Sequence, residues 1–218
     1  MFIHMKVCAD HIFAKNKKIV QLRQIQSVTK KVSIRMIEVE LKVLVNDRKQ
    51  LNDKLLKLGF VKEDRVKETD TYFDNQINQI KDSDGALRVR SCENLTTNLS
   101  EHFMTYKGPK MDAVSMTRKE FEMQIDDAKV GKDILVSLGY VKMYPVVKIR
   151  QYYSQNQVTV CLDQVEGLGD FLELEIIVSQ ADEKKKALDI LASTLEGLGF
   201  TDKDTIRTSY LSMLQKER

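Results

Sequence analysis

The sequence predicts an α+β fold of about eight short strands and three amphipathic helices arranged as one domain. Three observations predict it. Apolar and charged residues alternate along several short segments, as in strands with one apolar and one charged face. Three segments with leucines at helical spacing end in the same Leu-Gly-aromatic triplet, the mark of a helix stopped by a left-handed residue. The first two helices and their flanking strands recur at an offset of 80 to 82 residues, which favours one domain built from two similar halves.

Residues 1–35 precede these signals. They carry Lys6, Lys15, Lys17, Lys18, Arg23, Lys30, Lys31 and Arg35 against a single acid, Asp10, so the chain's net +3 divides into +7 for this arm and −4 for residues 36–218. The arm lacks the apolar stretch and cleavage site of a secretory signal and the Ser/Arg richness of a transit peptide. It reads as a disordered or non-native basic extension ahead of a start at Met36, with a solvated basic tail as the alternative. Deleting residues 2–35 is expected to leave activity unchanged.

The body begins with a strand, Ile37–Val43. A helix over Asn46–Leu58 follows, stopped at Gly59–Phe60, with Leu51, Leu55 and Leu58 facing the core. Strands are expected around Tyr72–Phe73, at Ala86–Arg90, at Phe103–Lys107 before the Gly108–Pro109 turn, and at Arg118–Glu122. The second helix, Asp126–Leu138, stops at Gly139–Tyr140 and directs Ile134, Leu135 and Leu138 inward. Val147–Arg150, Val160–Asp163 and Leu172–Ile176 complete the strands, and Asp182–Leu198 before Gly199–Phe200 is the third helix. The run Glu166-Gly167-Leu168-Gly169-Asp170 has neither Walker nor dinucleotide spacing and reads as a hairpin turn.

Composition narrows the chemistry. With 31% charged and 42% hydrophobic residues, 9 Gly and 2 Pro, the chain is a folded one. Cys8, Cys92 and Cys161 show no metal or disulfide spacing and point to a reducing compartment. With His4, His11 and His102 as the only histidines, chemistry falls to carboxylates, Lys, Arg and Tyr; His102, in a polar loop region, reads as solvated. No apolar run approaches the ~20 residues of a membrane helix, and neither G-x-S-x-G nor H-E-x-x-H occurs.

An alternating strand ordinarily turns its charges to water. Here the charged positions are Glu38, Glu40, Lys42, Arg88, Arg90, Lys107, Arg118, Glu120, Glu122, Lys148, Arg150, Asp163, Glu173 and Glu175, with Arg where a solvated face could equally take Ser or Thr. Curling the strands so that these faces converge leaves the apolar faces outside for the helices. Arg and Lys side chains converging on one cavity repel each other unless a polyanion sits among them. Arg forks match phosphate oxygens, and carboxylates two apart on a strand suit Mg²⁺ or Mn²⁺. The ligand expected is a triphosphate with its metal.

Glu38-Val39-Glu40-Leu41-Lys42 resembles the E-x-E-x-K signature of the CYTH family, the triphosphate tunnel metalloenzymes that include class IV adenylyl cyclases and thiamine triphosphatases. Further motifs follow in family order, among them Thr71–Asp74, Leu87–Arg90, Tyr106–Pro109, Arg118–Glu122, Val147–Arg150, Asp163–Gly169 and Phe171–Glu175. The resemblance runs from Met36 to near the C-terminus. It implies an eight-stranded antiparallel closed barrel in which Lys42, Arg88, Arg90, Lys107 and Arg150 grip the triphosphate, with Lys148 a further candidate. It implies that Glu38, Glu40, Glu173 and Glu175 bind Mg²⁺ or Mn²⁺, supported by Asp163. Arg118, Glu120 and Glu122 are assigned to the tunnel's charge network, and one of the two glutamates is alternatively a metal ligand.

The residues that bind the polyanion serve a cyclase and a triphosphatase alike. Segments such as Val165–Glu175 and Thr208–Leu211 look closest to the class IV cyclase branch, so ATP is the favoured substrate, and adenylyl cyclase leads over triphosphatase and over non-catalytic polyphosphate binding. Tyr72 with Lys42 is the pair suited to activating water in a hydrolase; packing is the other reading of Tyr72. A cytoplasmic protein is expected, with homodimerisation open and neither a membrane nor a nucleic-acid partner.

Overall fold

The structure, a computed structural model, describes residues 34–75, 77 and 80–216, with side chains from Ile37 onward. All but the last two residues of the basic arm lie outside this set, so the structure does not bear on the expectation for that arm. Among the described residues there are nine strands: β1 (Ile34–Leu44), β2 (Val61–Asp74), β3 (Ala86–Asn94), β4 (Ser100–Lys110), β5 (Arg118–Ile125), β6 (Val141–Lys142), β7 (Val146–Gln155), β8 (Val158–Val165) and β9 (Gly169–Val178). The same residues form four α-helices: α1 (Arg48–Lys57), α2 (Ala128–Ser137), α3 (Lys184–Gly197) and α4 (Tyr210–Lys216).

The sheet runs β3-β4-β5-β1-β9-β8-β7-β2 and closes where β2 pairs with β3. Every ladder is antiparallel. Eight strands therefore form the expected closed barrel, and the ninth, β6, is a two-residue strand paired to Phe73 and Asp74 at the end of β2. The two halves map β1, β2, β3 and β4 onto β5, β7, β8 and β9, so that the β4–β5 pair corresponds to β9–β1. Matching positions often carry opposite charge. Glu68 and Asp70 of β2 correspond, 80 residues on, to Lys148 and Arg150 of β7, and Glu68 stands directly opposite Lys148.

The helix stops work as their sequence predicts. Gly59, Gly139 and Gly199 have φ of +87°, +89° and +90°, a region in which an L side chain is strained. In each cap the aromatic amide closes the turn onto a leucine carbonyl: Phe60 onto Leu55 (3.1 Å), Tyr140 onto Leu135 (3.0 Å) and Phe200 onto Leu195 (3.1 Å). At the other end, Asp47 accepts from the Gln50 amide and Asp127 from the amides of Lys129 and Val130, satisfying orphan helix donors.

The main core lies between the outer barrel face and the helices. Val39, Leu41 and Val43 of β1, Leu172 and Leu174 of β9, and Val160 and Leu162 of β8 meet Leu51 and Leu55 of α1 and Ala187, Leu191 and Leu195 of α3. Burying such side chains contributes roughly 1.5–3 kcal/mol each. A second cluster sets Ala128 and Leu135 of α2 against Phe73 and Val89. The expectation that Leu58, Ile134 and Leu138 face the core is overturned, since all three are exposed. Leu58 and Leu138 are the C-cap residues, where the chain already turns away, and the buried stripe of α2 runs through Ala128, Gly131 and Leu135.

Candidate active site in the barrel interior

Strand alternation sends Val39, Leu41 and Val43 out to the helices and therefore Glu38, Glu40 and Lys42 in. The same parity brings in Glu68 and Asp70 (β2), Arg88 and Arg90 (β3), Thr105 and Lys107 (β4), Glu120 and Glu122 (β5), Lys148 and Arg150 (β7), Asp163 (β8), and Glu173 and Glu175 (β9). Charged side chains are almost never buried unless paired, yet here Asp163 is 0% and Glu68 and Asp70 are 1% exposed. The converging charged faces are the barrel's interior.

Ion pairs organise it. Arg90 forks onto Asp70 (Nε to Oδ1 2.7 Å, Nη2 to Oδ2 2.8 Å) and also reaches Glu68 at 2.8 Å. Arg88 donates to Asp70 at 3.2 Å, while its own Nε is buried with no hydrogen-bond partner. Across the barrel Arg150 forks onto Asp163, both contacts 2.7 Å, and pairs with Glu173 and, at 3.6 Å, Glu175. Lys148 lies 3.2 Å from Glu68 and 3.4 Å from Asp163, bridging the two groups. Lys107 joins Glu38 (3.0 Å) to Glu120. Lys42 sits 3.2 Å from Glu173 and 3.6 Å from Glu40.

The acids divide into two electrostatic classes. Burial pushes every carboxyl up. At Glu173 the charges of Lys42 and Arg150 outweigh that burial and hold it well below the ordinary range. Glu38, beside Lys107, and Asp70, between Arg90 and Arg88, are likewise held low against burial, and Glu68 comes down to about 2. At Glu40, burial and the neighbouring Glu173 push the carboxyl up to about 7, and at Glu175, burial and Glu38 push it up to about 8. Glu120 is raised well above the usual range by burial and Glu38.

Glu38, Glu40 and Glu175 each present an oxygen within 4.8 Å of the others. Glu40 Oε1 is buried without a hydrogen-bond donor, and burial first, then neighbouring carboxylates, have raised Glu40 and Glu175. An all-oxygen set fits a hard divalent cation such as Mg²⁺ or Mn²⁺; each acid also lies near a base, Glu38 3.0 Å from Lys107, Glu40 3.6 Å from Lys42 and Glu175 3.6 Å from Arg150. Glu173 and Asp163, the other acids expected around the metal, instead face Lys42, Lys148 and Arg150.

The remaining expected residues take other places. Arg118 is buried but turns to the loop between β2 and β3, donating to the carbonyls of Asp84 and Gly108 (2.7 Å to the latter) and lying 3.2 Å from the Asp84 carboxylate. Glu122 accepts from Thr105 at 2.9 Å. Tyr72 is half-buried against the cluster of Val146, Val165, Phe171 and Tyr210. His102, read as solvated, is half-buried within β4, its Nδ1 without a partner.

Sequence reasoning missed Glu68, Asp70 and Tyr210. Both faces of β2 are polar through Lys67–Thr71, so no apolar alternation flags the acids; their shared parity with Tyr72 was the available signal. Tyr210 comes from α4, far along the chain. Its hydroxyl donates to Asp163 at 3.1 Å, and its ring lies 4.3 Å from Lys42 Nζ and 5.3 Å from Lys148 Nζ, a cation–π contact with two bases at once.

Fold and side-chain parity together define a closed antiparallel barrel with a charged interior. The chain belongs to the CYTH domain family, whose sequence profile matches residues 36–210. A Methanocaldococcus jannaschii protein provisionally named an adenylate cyclase is 38% identical over 178 residues, covering 82% of this chain and 98% of the relative. A Pyrococcus horikoshii protein of solved structure superposes with a TM-score of 0.76 at 36% identity, over 83% of this chain and 99% of that one. A Hippeastrum protein provisionally classed as an adenylyl cyclase and described as having a dominant triphosphatase activity shares the fold, with a TM-score of 0.59 at 16% identity over 84% and 96% of the two chains.

Proposed function

We propose that this protein is a metal-dependent enzyme acting on triphosphates, and that its reaction is the conversion of ATP to 3′,5′-cyclic AMP and pyrophosphate. The observation that carries the reading is the convergence of two kinds of group inside the barrel. A cluster of three acids, Glu38, Glu40 and Glu175, sits among the buried bases Lys42, Arg88, Arg90, Lys148 and Arg150 and the half-buried Lys107. Such a pairing suits a polyanion that arrives with its own cation. The name of the Methanocaldococcus relative supports the cyclase over other reactions of the same ligand.

In this reading Glu38, Glu40 and Glu175 hold the divalent ion, which when bound polarises phosphoryl oxygens. Arg88, whose Nε is unpartnered, makes the first new contact with the phosphate chain. The other bases exchange part of their pairing with acids for phosphate oxygens. They are fixed before the substrate enters, so they stabilise the charge that gathers on the departing pyrophosphate with little reorganisation. Glu173, Asp163, Glu68 and Asp70 aim those bases. The protein is placed in the cytoplasm in this reading, consistent with the free thiols of Cys92 and Cys161.

Hydrolysis is the second reading, supported by the activity described for the Hippeastrum protein. Lys42 and Tyr72 are its water-activating pair, and both reach the cluster around Tyr210. Incubation with ATP, tripolyphosphate and thiamine triphosphate in Mg²⁺ or Mn²⁺, followed by product separation, tests both. Cyclic AMP with pyrophosphate supports the cyclase, orthophosphate supports hydrolysis, and binding without turnover refutes both.

A further inference from the structure

A second concentration of positive charge lies outside the barrel, in a surface cavity of about 460 Å³ between α1 and the outer faces of β2 and β7. Arg48 and Lys49 line it from α1, and Lys62 and Arg65 line it from β2. Lys62 and Arg65 are three residues apart, so strict alternation would send them to opposite faces. A register shift between them, opposite β7, inserts the extra residue that brings both to the outer face. Lys62 then stands opposite Tyr153, and Arg65 opposite Gln151.

The bulge is built rather than slack. Gln151, buried, donates from Nε2 to the carbonyls of Glu63 (2.7 Å) and Asp64 (3.2 Å), holding the bulged backbone in place. The floor is fixed as well, since the buried Tyr153 donates to Asn52 Oδ1 at 2.7 Å. Arg48 is tied to Asp170 (2.9 Å) and to the Leu162 carbonyl (3.0 Å). Lys49, Lys62 and Arg65 form no ion pair among the described residues. Three exposed cations without ion pairs on one cavity repel one another weakly through water, and an anion among them relieves that repulsion.

The geometry points to this cavity as a binding site for a short phosphate chain, a di- or triphosphate anion, separate from the barrel interior. Ammonium and guanidinium donors converging from two elements match several phosphoryl oxygens at once, and the cavity is large enough for such an ion. The wall between the two sites is one strand thick: Arg150 and Tyr152 of β7 point inward, while Gln151 and Tyr153 line the cavity. The proposal does not depend on the reaction assigned to the interior.

Titration of the full chain with inorganic pyrophosphate, without divalent metal, tests it by calorimetry and by backbone amide shifts. Binding should shift the amides of Lys49 and of Lys62–Arg65 and weaken as salt is raised. The double variant Lys62→Gln/Arg65→Gln should bind at this site about 100-fold more weakly, because each lost charged contact is worth roughly one decade. Both side chains are exposed, so the variant's amide dispersion should match the wild type and show that it is folded. If only amides around Arg88–Arg90 respond, or the double variant binds as the wild type does, the outer site does not exist. If only the outer amides respond, the outer site stands, and the metal-dependent reading of the interior is tested separately by the turnover assay.

Discussion

Asp70 and Arg90 face each other across the β2–β3 ladder and make a two-pronged contact in the barrel interior, 2.7 and 2.8 Å long, with Asp70 1% exposed. The same carboxylate also takes a hydrogen bond from Arg88. One acid thus orients two of the guanidiniums assigned to the phosphate chain.

Replacing Asp70 by Asn leaves Arg90 and Arg88 buried with their main counter-charge gone. Breaking a buried pair from one side costs about 3–5 kcal/mol, so Asp70→Asn should lower the unfolding free energy by an amount of that order. Tripolyphosphate should recover part of the loss by offering oxygens to the same guanidiniums. Urea unfolding of the variant with and without tripolyphosphate measures both effects.

Glu40→Gln should separate stability from activity. At Glu40, burial and the repulsion of Glu173 already disfavour the charged form, so the amide should fold at least as stably as the wild type. Metal-dependent turnover should fall at least about 100-fold, because a lost metal ligand removes several kcal/mol of charge stabilisation. Melting temperature in chelator and product formation in Mg²⁺ are the two readouts; full activity in the variant would refute the metal assignment.

Stability of the metal-free protein should fall as pH rises from about 5 to 8. Glu40, pushed up to about 7, and Glu175, pushed up to about 8, keep protons in the folded state that the unfolded chain releases near its ordinary carboxylate pKa of ~4.3. Glu173, Glu38 and Asp70 are shifted the other way, so their contribution is lost as pH falls below the ordinary range. Melting temperature should therefore peak in mildly acidic buffer, and Mg²⁺ should flatten the decline above the peak by taking the place of the protons. Thermal melts across pH with and without Mg²⁺ test this.

Tyr210→Phe should separate its hydroxyl from its ring. The variant keeps the ring over Lys42 and Lys148 but loses the bond to Asp163, a hydrogen bond to a charged group worth about 1.5–3 kcal/mol. Tyr210→Ala should cost more, since it also removes the contact with Phe171 at 5.0 Å between ring centroids. Chemical denaturation of both variants orders the two costs.

Gly139→Ala isolates the backbone term of a helix stop. Its φ is +89°, and an added Cβ would meet nothing within 4 Å. The cost should therefore be the left-handed penalty alone, about 1–2 kcal/mol, with less for Asn. Denaturant midpoints of the two variants check this, and activity should be unaffected because Gly139 lies far from the interior charges in the fold's layering.

The sequence by itself determined the strands, the helix stops and the shared faces of Glu38, Glu40 and Lys42, of Arg88 and Arg90, and of Glu173 and Glu175. Each of these is written locally, as a period of two or as a Leu-Gly-aromatic triplet, and local steric rules decide it; that the charged faces turn inward is decided by closure of the sheet. Partner choice is not local. Only the closed ladders decided that Glu38, Glu40 and Glu175 share a cluster while Glu173 and Asp163 face Arg150, because register across β1, β8 and β9 fixes which carboxylates come within reach of which charge. Glu68 and Asp70 stayed hidden on a strand polar on both faces, and Tyr210 on a helix whose place beside Asp163 exists only once the chain has folded. Coulomb energy depends on separation in space, and that separation is a property of the tertiary structure.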